Sequence, residues 1–497
     1  MAPMIRESAS LVTDRRSRAL AALAAVRPPL TVVDDEEGLK PFETDALIAH
    51  RETPMLAVLP DSEDQVRAVV RACVALGIPV VTRGAGTGVS GGAIPRADGV
   101  LLVLSKMKRM ISIDTLARVA VVEPGVRNLQ VSEAAAPHGL FYAPDPSSQA
   151  ICSIGGNVAE NAGGVHCLKY GLTTHNVTSV RAIDADGDVI EAGGAALDAA
   201  GFDLLALFTG SEGNLGVITR IGVRLLALPE RTETLLAAFP TVRQGAEAVG
   251  EIIGAGIVPA ALEMMDRIVI DACERFMAMG FPAGAEALLL VEVDGSREEA
   301  LESLGAVRAI LERCGAREVR VAADAPERER LWKARKGAFA ALATILPDYY
   351  TIDGTIPRRS LPDVLERVYA IAREYGFIVG NVFHAGDGNI HPCIFYDANK
   401  PGDLEKSEEC GGRMLEVCLE FGGTITGEHG VGIEKLRLMC VQFRAAELAA
   451  FHDVKRAFDA TGMLNPGKAV PTLKRCAEWG GMHVHEGRLG HPDIPRF

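Results

Sequence analysis

Short strands, glycine turns and brief helices alternate through the first half of the chain, and longer helices mixed with strands fill the second. The sequence therefore predicts an α+β protein. Three observations carry this. Five glycines crowd into Gly84-Ala85-Gly86-Thr87-Gly88-Val89-Ser90-Gly91-Gly92 between two buried-strand patterns. An amphipathic helix carries Val66, Val69, Val70, Cys73 and Val74 on one face. A hairpin signal, Asp387-Gly388, lies between strand-like runs at 377–383 and 390–396.

In chain order, residues 1–50 read as a helical lead-in and a loop. Arg15-Arg16 ahead of an alanine-rich run hints at a twin-arginine export signal. Arg18 and Arg27 flank that run, which ends at Pro28-Pro29, so an amphipathic surface helix suits it better. A first domain over 51–229 opens with a strand at 55–59, and Ser62 with Gln65 make a capping-box signature for the next helix. It closes near Leu228-Pro229. A second domain, 230–470, includes a strand at 288–293 and ends at Asn465-Pro466-Gly467-Lys468. Beyond it, 471–497 is a polar tail whose His483, His485 and His491 are expected at the surface.

The 497 residues give room for two or three domains, and 48% hydrophobic with 23% charged content is ordinary for a globular chain. A net charge of −14 argues against nucleic acid as partner. No apolar run approaches the ~20 residues that span a bilayer. The ten cysteines form no C-x-x-C pair and no iron–sulfur ligand spacing, and they read as scattered thiols of a reducing, cytoplasmic compartment.

Gly86-Thr87-Gly88-Val89-Ser90-Gly91 satisfies G-x-G-x-x-G, but turn residues and a strand follow it where a dinucleotide fold would open a helix. The run reads as a strand–loop–strand phosphate cradle, with a flexible linker as the plainer alternative. Two further stretches, Gly155-Gly156-Asn157 with Gly163-Gly164, and Thr209-Gly210-Ser211-Glu212-Gly213, share its domain. Singly each could be tight turns; together they favour a dinucleotide.

In the second domain, a hairpin closed by Asp387-Gly388 would pair Gly386 with Asn389 and His384 with His391, with Cβ atoms about 5 Å apart. Two imidazoles so placed can share a divalent metal, or can be a cross-strand pair without ligand. Glu428 in Gly427-Glu428-His429-Gly430 is an available third ligand, although a plain surface turn explains that segment equally well. Arg335 and Arg358-Arg359 could grip a carboxylate, or lie on solvated faces.

Taken in order, Thr82 to Gly88, Pro144-Asp145-Pro146-Ser147-Ser148, Gly155-Gly156-Asn157, Asn161-Ala162-Gly163-Gly164, Thr209 to Gly213, His384 to His391, Gly427 to Gly430 and Asn465 to Lys468 resemble the FAD-linked oxidases of the vanillyl-alcohol oxidase type. Within that family the likeness is to the glycolate-oxidising members. It implies a PCMH-type FAD-binding domain of two small α+β subdomains and a cap domain on an antiparallel sheet. The residues carried over to FAD are Arg83, Gly84, Ala85, Gly86, Thr87, Gly88, Ser90, Gly91, Asp145, Ser148, Gly155, Gly156, Asn157, Gly163 and Ile218. The resemblance makes His384, His391 and Glu428 ligands of a divalent metal, zinc with manganese or iron as alternatives. It makes His429 the base and Arg335 the substrate-binding arginine.

Relatives specialised for D-2-hydroxyglutarate carry an asparagine where Cys393 stands and a lysine where Thr351 stands, so a small monocarboxylate is favoured here. No histidine occurs in the first glycine loop, so FAD is expected to be non-covalent. The resemblance thus implies an FAD-dependent dehydrogenase for a small 2-hydroxy acid: glycolate, with D-lactate or D-2-hydroxyglutarate as alternatives. It also implies an iron–sulfur partner subunit at the inner face of the cytoplasmic membrane. A zinc-dependent hydrolase is the rival from another class, since two histidines, a glutamate and a base also describe a water-activating site. A flavin-bearing scaffold that merely relays electrons is a third reading.

Overall fold

The computed structural model describes residues 14–196, 200–346 and 348–471, with the two-residue strands Val484–His485 and Arg488–Leu489. His483 and His491 lie outside the described residues. Residues 14–24 are helical, and Ala19 and Leu23 of that helix are buried in the first core.

Two sheets build the first half. In the first, Thr31–Val33, Leu56–Leu59, Val100–Val103 and Val80–Arg83 lie in that order, with the last two parallel. The glycine run connects these parallel neighbours without a helix, as a strand–loop–strand unit. Helix Glu63–Ala75 covers one face through Val66, Val69, Val70 and Cys73. Ser62 is its N-cap, but its hydroxyl makes no capping bond. Gln65 instead accepts from the Asp61 amide at 2.8 Å and donates to the Pro28 carbonyl at 3.1 Å, which ties the lead-in to the helix. The second sheet is antiparallel, in the order Met110–Asp114, Val119–Val122, Val217–Arg224, Val177–Ile183, Val189–Gly193.

The second half is built on a seven-stranded sheet: Glu318–Val321, Arg231–Phe239, Ala287–Gly295, Ala261–Asp266, Ile378–Phe383, Pro392–Tyr396 and Asp348–Thr351, every neighbour antiparallel. Both faces are covered, so Leu288-Leu289-Leu290-Val291 reads as an unbroken apolar run. Leu289 and Val291 face helices Val242–Gly254, Arg297–Arg313, Leu361–Tyr375 and Asp403–Glu420. Leu288 and Leu290 face helices Arg267–Met277 and Ala338–Leu342.

After helix Ala445–Phe458 the chain returns to the first half. Leu464 bridges Val80 in parallel, and the Asn465 amide donates to the Val80 carbonyl at 2.8 Å. Lys468 Nζ reaches the Gly92 carbonyl at 2.8 Å, so this segment backs the glycine run. Among the cysteines, seven are buried free thiols and Cys314 is a half-buried one, whereas Cys440 is disulfide-bonded, contrary to the all-thiol expectation.

The halves are clamped by charge. His166 Nδ1 lies 3.0 Å from Asp145, and its Nε2 lies 3.2 Å from Glu292 of the large sheet. Tyr170 donates to Asp294 at 2.6 Å. Burial opposes a charge on His166, but Asp145 and Glu292 outweigh it and raise the imidazole pKa to about 10. The clamp's contribution is therefore complete below the unfolded value near ~6.5 and is lost as pH rises through about 10. The thermal stability of the FAD-loaded protein over a His166→Gln variant should be largest at pH 6 and shrink toward pH 10. An advantage that grows with pH would contradict the assignment.

Candidate active site

The turn that carries the two histidines differs in register from the expected hairpin. His384 pairs with Asn389, its amide donating to the Asn389 carbonyl at 3.1 Å, and Ala385 to Gly388 form a four-residue turn. The preceding pairs, Asn381 with Pro392 and Gly380 with Cys393, keep the same register. His391 thus stands diagonal to His384 rather than opposite. A slip of two residues leaves both on one face, because side chains alternate with period two. Their rings meet edge to face with centroids 5.2 Å apart.

Glu428 completes the cluster from a separate loop. Its Oε1 lies 3.3 Å from His384 Nε2 and 3.2 Å from His391 Nε2. One donor atom from each of the three residues falls within 4.8 Å of the others. Both nitrogens of His391 are buried without a hydrogen-bond partner, and a cation held beside Glu428 would give Nε2 one. Two imidazoles and a carboxylate are a donor set suited to zinc, manganese or iron. Burial alone would raise the Glu428 pKa, but His384 and His391 hold it well below the usual carboxylate range. Burial would lower His384, yet Glu263 and Glu428 raise it well above its ordinary value.

His429 stacks on His391, with ring centroids 4.9 Å apart. Its Nδ1 is buried without a partner, which leaves Nε2, 3.6 Å from Glu428 Oε1, as the nitrogen toward the cavity. Burial pushes its pKa down to about 4, so the ring is neutral at neutral pH.

Two buried acids that sequence reasoning did not single out hold this arrangement. Asp353 accepts from the amides of Gly427 at 3.0 Å and His429 at 3.0 Å, from the Glu428 amide at 3.3 Å, from Thr426 Oγ1 at 2.6 Å and from Asn389 Nδ2 at 2.7 Å. Burial would raise its pKa, but His429, Lys435 and His391 pull it well below the usual range. Glu263, in the central strand Ala261–Asp266, takes His384 Nδ1 at 2.8 Å. An acid inside an apolar strand pattern was the one local signal for Glu263.

A cavity of about 560 Å3 runs from the glycine run to this cluster. Gly84, Ala85, Gly86, Thr87 and Gly88 line one end, with Ser148, Gly155, Gly156, Asn157 and Ile218; His384, His391, Glu428 and His429 line the other. Among the described residues, no amide from Ala85 to Gly92 donates to another protein group. A Cβ added at Gly88 would meet nothing within 4 Å, while Gly86 and Gly91 have φ of +71° and +80°. Free amides on a small-residue wall fit a dinucleotide's pyrophosphate and its close backbone approach.

Other expected residues stand back from the cavity. Arg83 donates to the Thr44 carbonyl at 2.7 Å, and Asp145 is held by His166 and by Lys336 at 3.1 Å. Ser90, Gly91 and Gly163 support the wall without lining it, Gly163 lying where a Cβ would meet Glu428 Oε2 at 2.5 Å. Arg335 is fully buried, 2.5 Å from Glu263, and does not line the cavity. Its Nε, Nη1 and Nη2 are buried without a hydrogen-bond partner among the described residues. Arg358 donates to the Gly386 carbonyl at 3.2 Å, bracing the histidine turn.

Residues 54–193 match the family model for an FAD binding domain, and residues 228–469 match that for the C-terminal domain of FAD linked oxidases. Glycolate oxidase subunit GlcD of Escherichia coli K12 is 54% identical over 97% of each chain. GlcD of Bacillus subtilis is 36% identical over 90% of this chain and 95% of its own. A D-lactate dehydrogenase of Archaeoglobus fulgidus is 33% identical over 87% and 95%. The crystal structure of p-cresol methylhydroxylase shares the fold, with a TM-score of 0.77 at 18% identity over 93% of this chain and 97% of that one. The hydrolase alternative finds no support in these matches. Both halves of the chain match flavin-enzyme domains in order, and this chain belongs to the FAD-linked oxidases and is an FAD-dependent oxidoreductase.

Proposed function

We propose that this chain is the flavin-bearing subunit of a glycolate-oxidising enzyme, converting a small 2-hydroxy acid to its 2-oxo acid and passing the electrons to a partner. The observation that carries this reading is the single cavity joining the free-amide cradle to the His384, His391, Glu428 and His429 cluster. The names of the bacterial relatives support glycolate, and those of more distant relatives support D-lactate as the second substrate. The cavity wall supports a monocarboxylate. Among the described residues no lysine or arginine lines it, and Thr351 spends its hydroxyl on Cys393 Sγ at 3.4 Å. A second carboxylate would be buried there without a cation.

The amides of the glycine run, with Ser148, Gly155, Gly156, Asn157 and Ile218, would hold FAD without a covalent bond. His384, His391 and Glu428 would hold the divalent metal. When bound, the metal supplies Lewis acidity toward the substrate hydroxyl and the flavin supplies the hydride acceptor. His429 Nε2 takes the hydroxyl proton, its neutral ring being the state a base requires. Asp353 fixes the loop on which that nitrogen sits, and stacking on His391 fixes the ring plane. Tyr349, Tyr350 and Thr351 also line the cavity.

The electrons leave through another chain in this reading. The eight free cysteines are dispersed thiols, and among the described residues no helix is long and apolar enough to cross a membrane. An iron–sulfur subunit at the cytoplasmic membrane face fits that requirement, and the Escherichia coli relative is itself named a subunit.

His429→Asn should retain FAD yet slow substrate-driven flavin reduction by ~100-fold or more, the scale of losing a general base. Anaerobic rapid mixing measures this, and a near wild-type rate would sink the assignment. Exhaustive chelation should abolish turnover while leaving the flavin spectrum largely intact, and His391→Ala should lower metal content. Full activity in protein found metal-free by elemental analysis would refute the metal.

A further inference from the structure

We propose that Glu160 is a neutral carboxyl at the junction of the glycine cradle and the histidine–glutamate cluster, and that it donates a hydrogen bond to the flavin ring as the ring takes on charge. The proposal rests on FAD lying in the cavity, whichever 2-hydroxy acid is oxidised.

Glu160 is the last residue of helix Ile154–Glu160, and Asn161 ends that helix in the left-handed conformation. The third glycine stretch docks on the same turn. The Gly210 amide donates to the Val158 carbonyl and the Glu212 amide to the Ala159 carbonyl, each at 2.8 Å. Glu212 has a φ of +50°, a backbone setting that a residue with a side chain adopts only where its surroundings hold it. Two acids from two glycine stretches are thereby set against one spot. A Cβ added at Gly430 would run into Glu160 Oε2 and would meet Glu212 Oε1 at 3.0 Å.

The two carboxyl groups have unequal partners. Glu212 accepts from the amides of Val431 and Gly432, which favours its ionised form. Glu160 Oε2 is buried with no hydrogen-bond partner among the described residues. The nearby cations are engaged elsewhere: Lys468 with the Gly92 and Ile94 carbonyls, and Lys435 with the Gly430 carbonyl and Glu434. Two like charges in one buried space do not both persist, so the unpartnered acid keeps its proton. Burial, then Glu212 and Asp45, raise the Glu160 pKa well above the usual carboxylate range, and Lys435 and Lys468 oppose this only in part.

Glu160 lines the cavity, and its place there gives the proton a use. A Cβ added at Gly92 would meet Glu160 Oε1 at 2.6 Å, so the carboxyl reaches from the end of the glycine run to the loop that carries Glu428 and His429. A dinucleotide with its pyrophosphate on the free amides and its ring turned to His429 passes this carboxyl. A hydride carries two electrons and one proton, so its acceptor gains one negative charge. A neutral donor aimed where that charge develops favours the reduced ring over the oxidised one. An ionised Glu160 would do the opposite.

The test reads the midpoint potential of the flavin in the full-length, FAD-loaded protein, by anaerobic titration against reference dyes, beside thermal unfolding. Glu160→Met keeps the length of the side chain and removes the donor. It is expected to hold FAD and to lose about 10- to 100-fold in its preference for reduced over oxidised flavin, a midpoint lower by about 30–60 mV. Glu160→Gln, whose amide can still donate, should stay within about threefold of wild type. Should Glu160→Met not fold, Glu160→Ala carries the same expectation. A midpoint that rises in Glu160→Gln would show an ionised Glu160 and overturn the proposal. An unchanged midpoint in folded Glu160→Met would make the carboxyl merely structural and overturn it too, and either result would leave the FAD reading intact. A wild type that holds no flavin would overturn both.

Discussion

Asp353 is wholly buried, and it gathers three consecutive amides, a threonine hydroxyl and the Asn389 side chain onto one carboxylate. Hydrogen bonds to a charged acceptor are worth about 1.5–3 kcal/mol each, and a buried carboxylate left without them is strongly disfavoured. Two loops distant in sequence are thereby forced to share an anchor. One carries Glu428 and His429, and the other carries the turn between His384 and His391. Loosening that anchor would move the candidate base and all three candidate ligands together, which no single ligand contact could do.

The same logic operates on the side of the glycine cradle. Glu212 accepts from the amides of Val431 and Gly432 at 2.7 and 2.6 Å, tying the third glycine stretch to the loop beyond His429. Asn465 Nδ2 donates to the Glu212 carbonyl at 2.6 Å, and Lys468 reaches the Gly92 carbonyl. A segment that follows the second half in sequence therefore seals the wall of the first. The cavity is a product of the two halves together, which is why it can present free amides at one end and metal-type donors at the other.

Much of this was legible in the chain. Glycine clusters declare themselves because the positive φ of Gly86 and Gly91 favours glycine, and the absence of a Cβ at Gly88 leaves its backbone open to the cavity. The shared face of His384 and His391 was legible from strand periodicity, but their register was not. Asp387-Gly388 suggests a two-residue turn, and the choice of a four-residue one is made by pairing with strand Asp348–Thr351 and by Arg358 on the Gly386 carbonyl. Asp353 and Glu263 were illegible as site residues because their partners are tens to over a hundred positions away. The burial of Arg335 was hidden for the same reason: its helix carries Lys333 and Lys336 nearby, and composition alone suggests a solvated face.

The central claim is that the amide cradle and the histidine–glutamate cluster form one redox site for a small 2-hydroxy acid. The most direct measurement is anaerobic titration of the FAD-loaded, metal-replete protein with glycolate, following the flavin absorption band and the 2-oxo acid formed. The account predicts that the band bleaches as glyoxylate appears in equal amount, with D-lactate acting similarly and D-2-hydroxyglutarate poorly. A flavin that stays oxidised in the presence of all three, in protein shown to hold both groups, would contradict it.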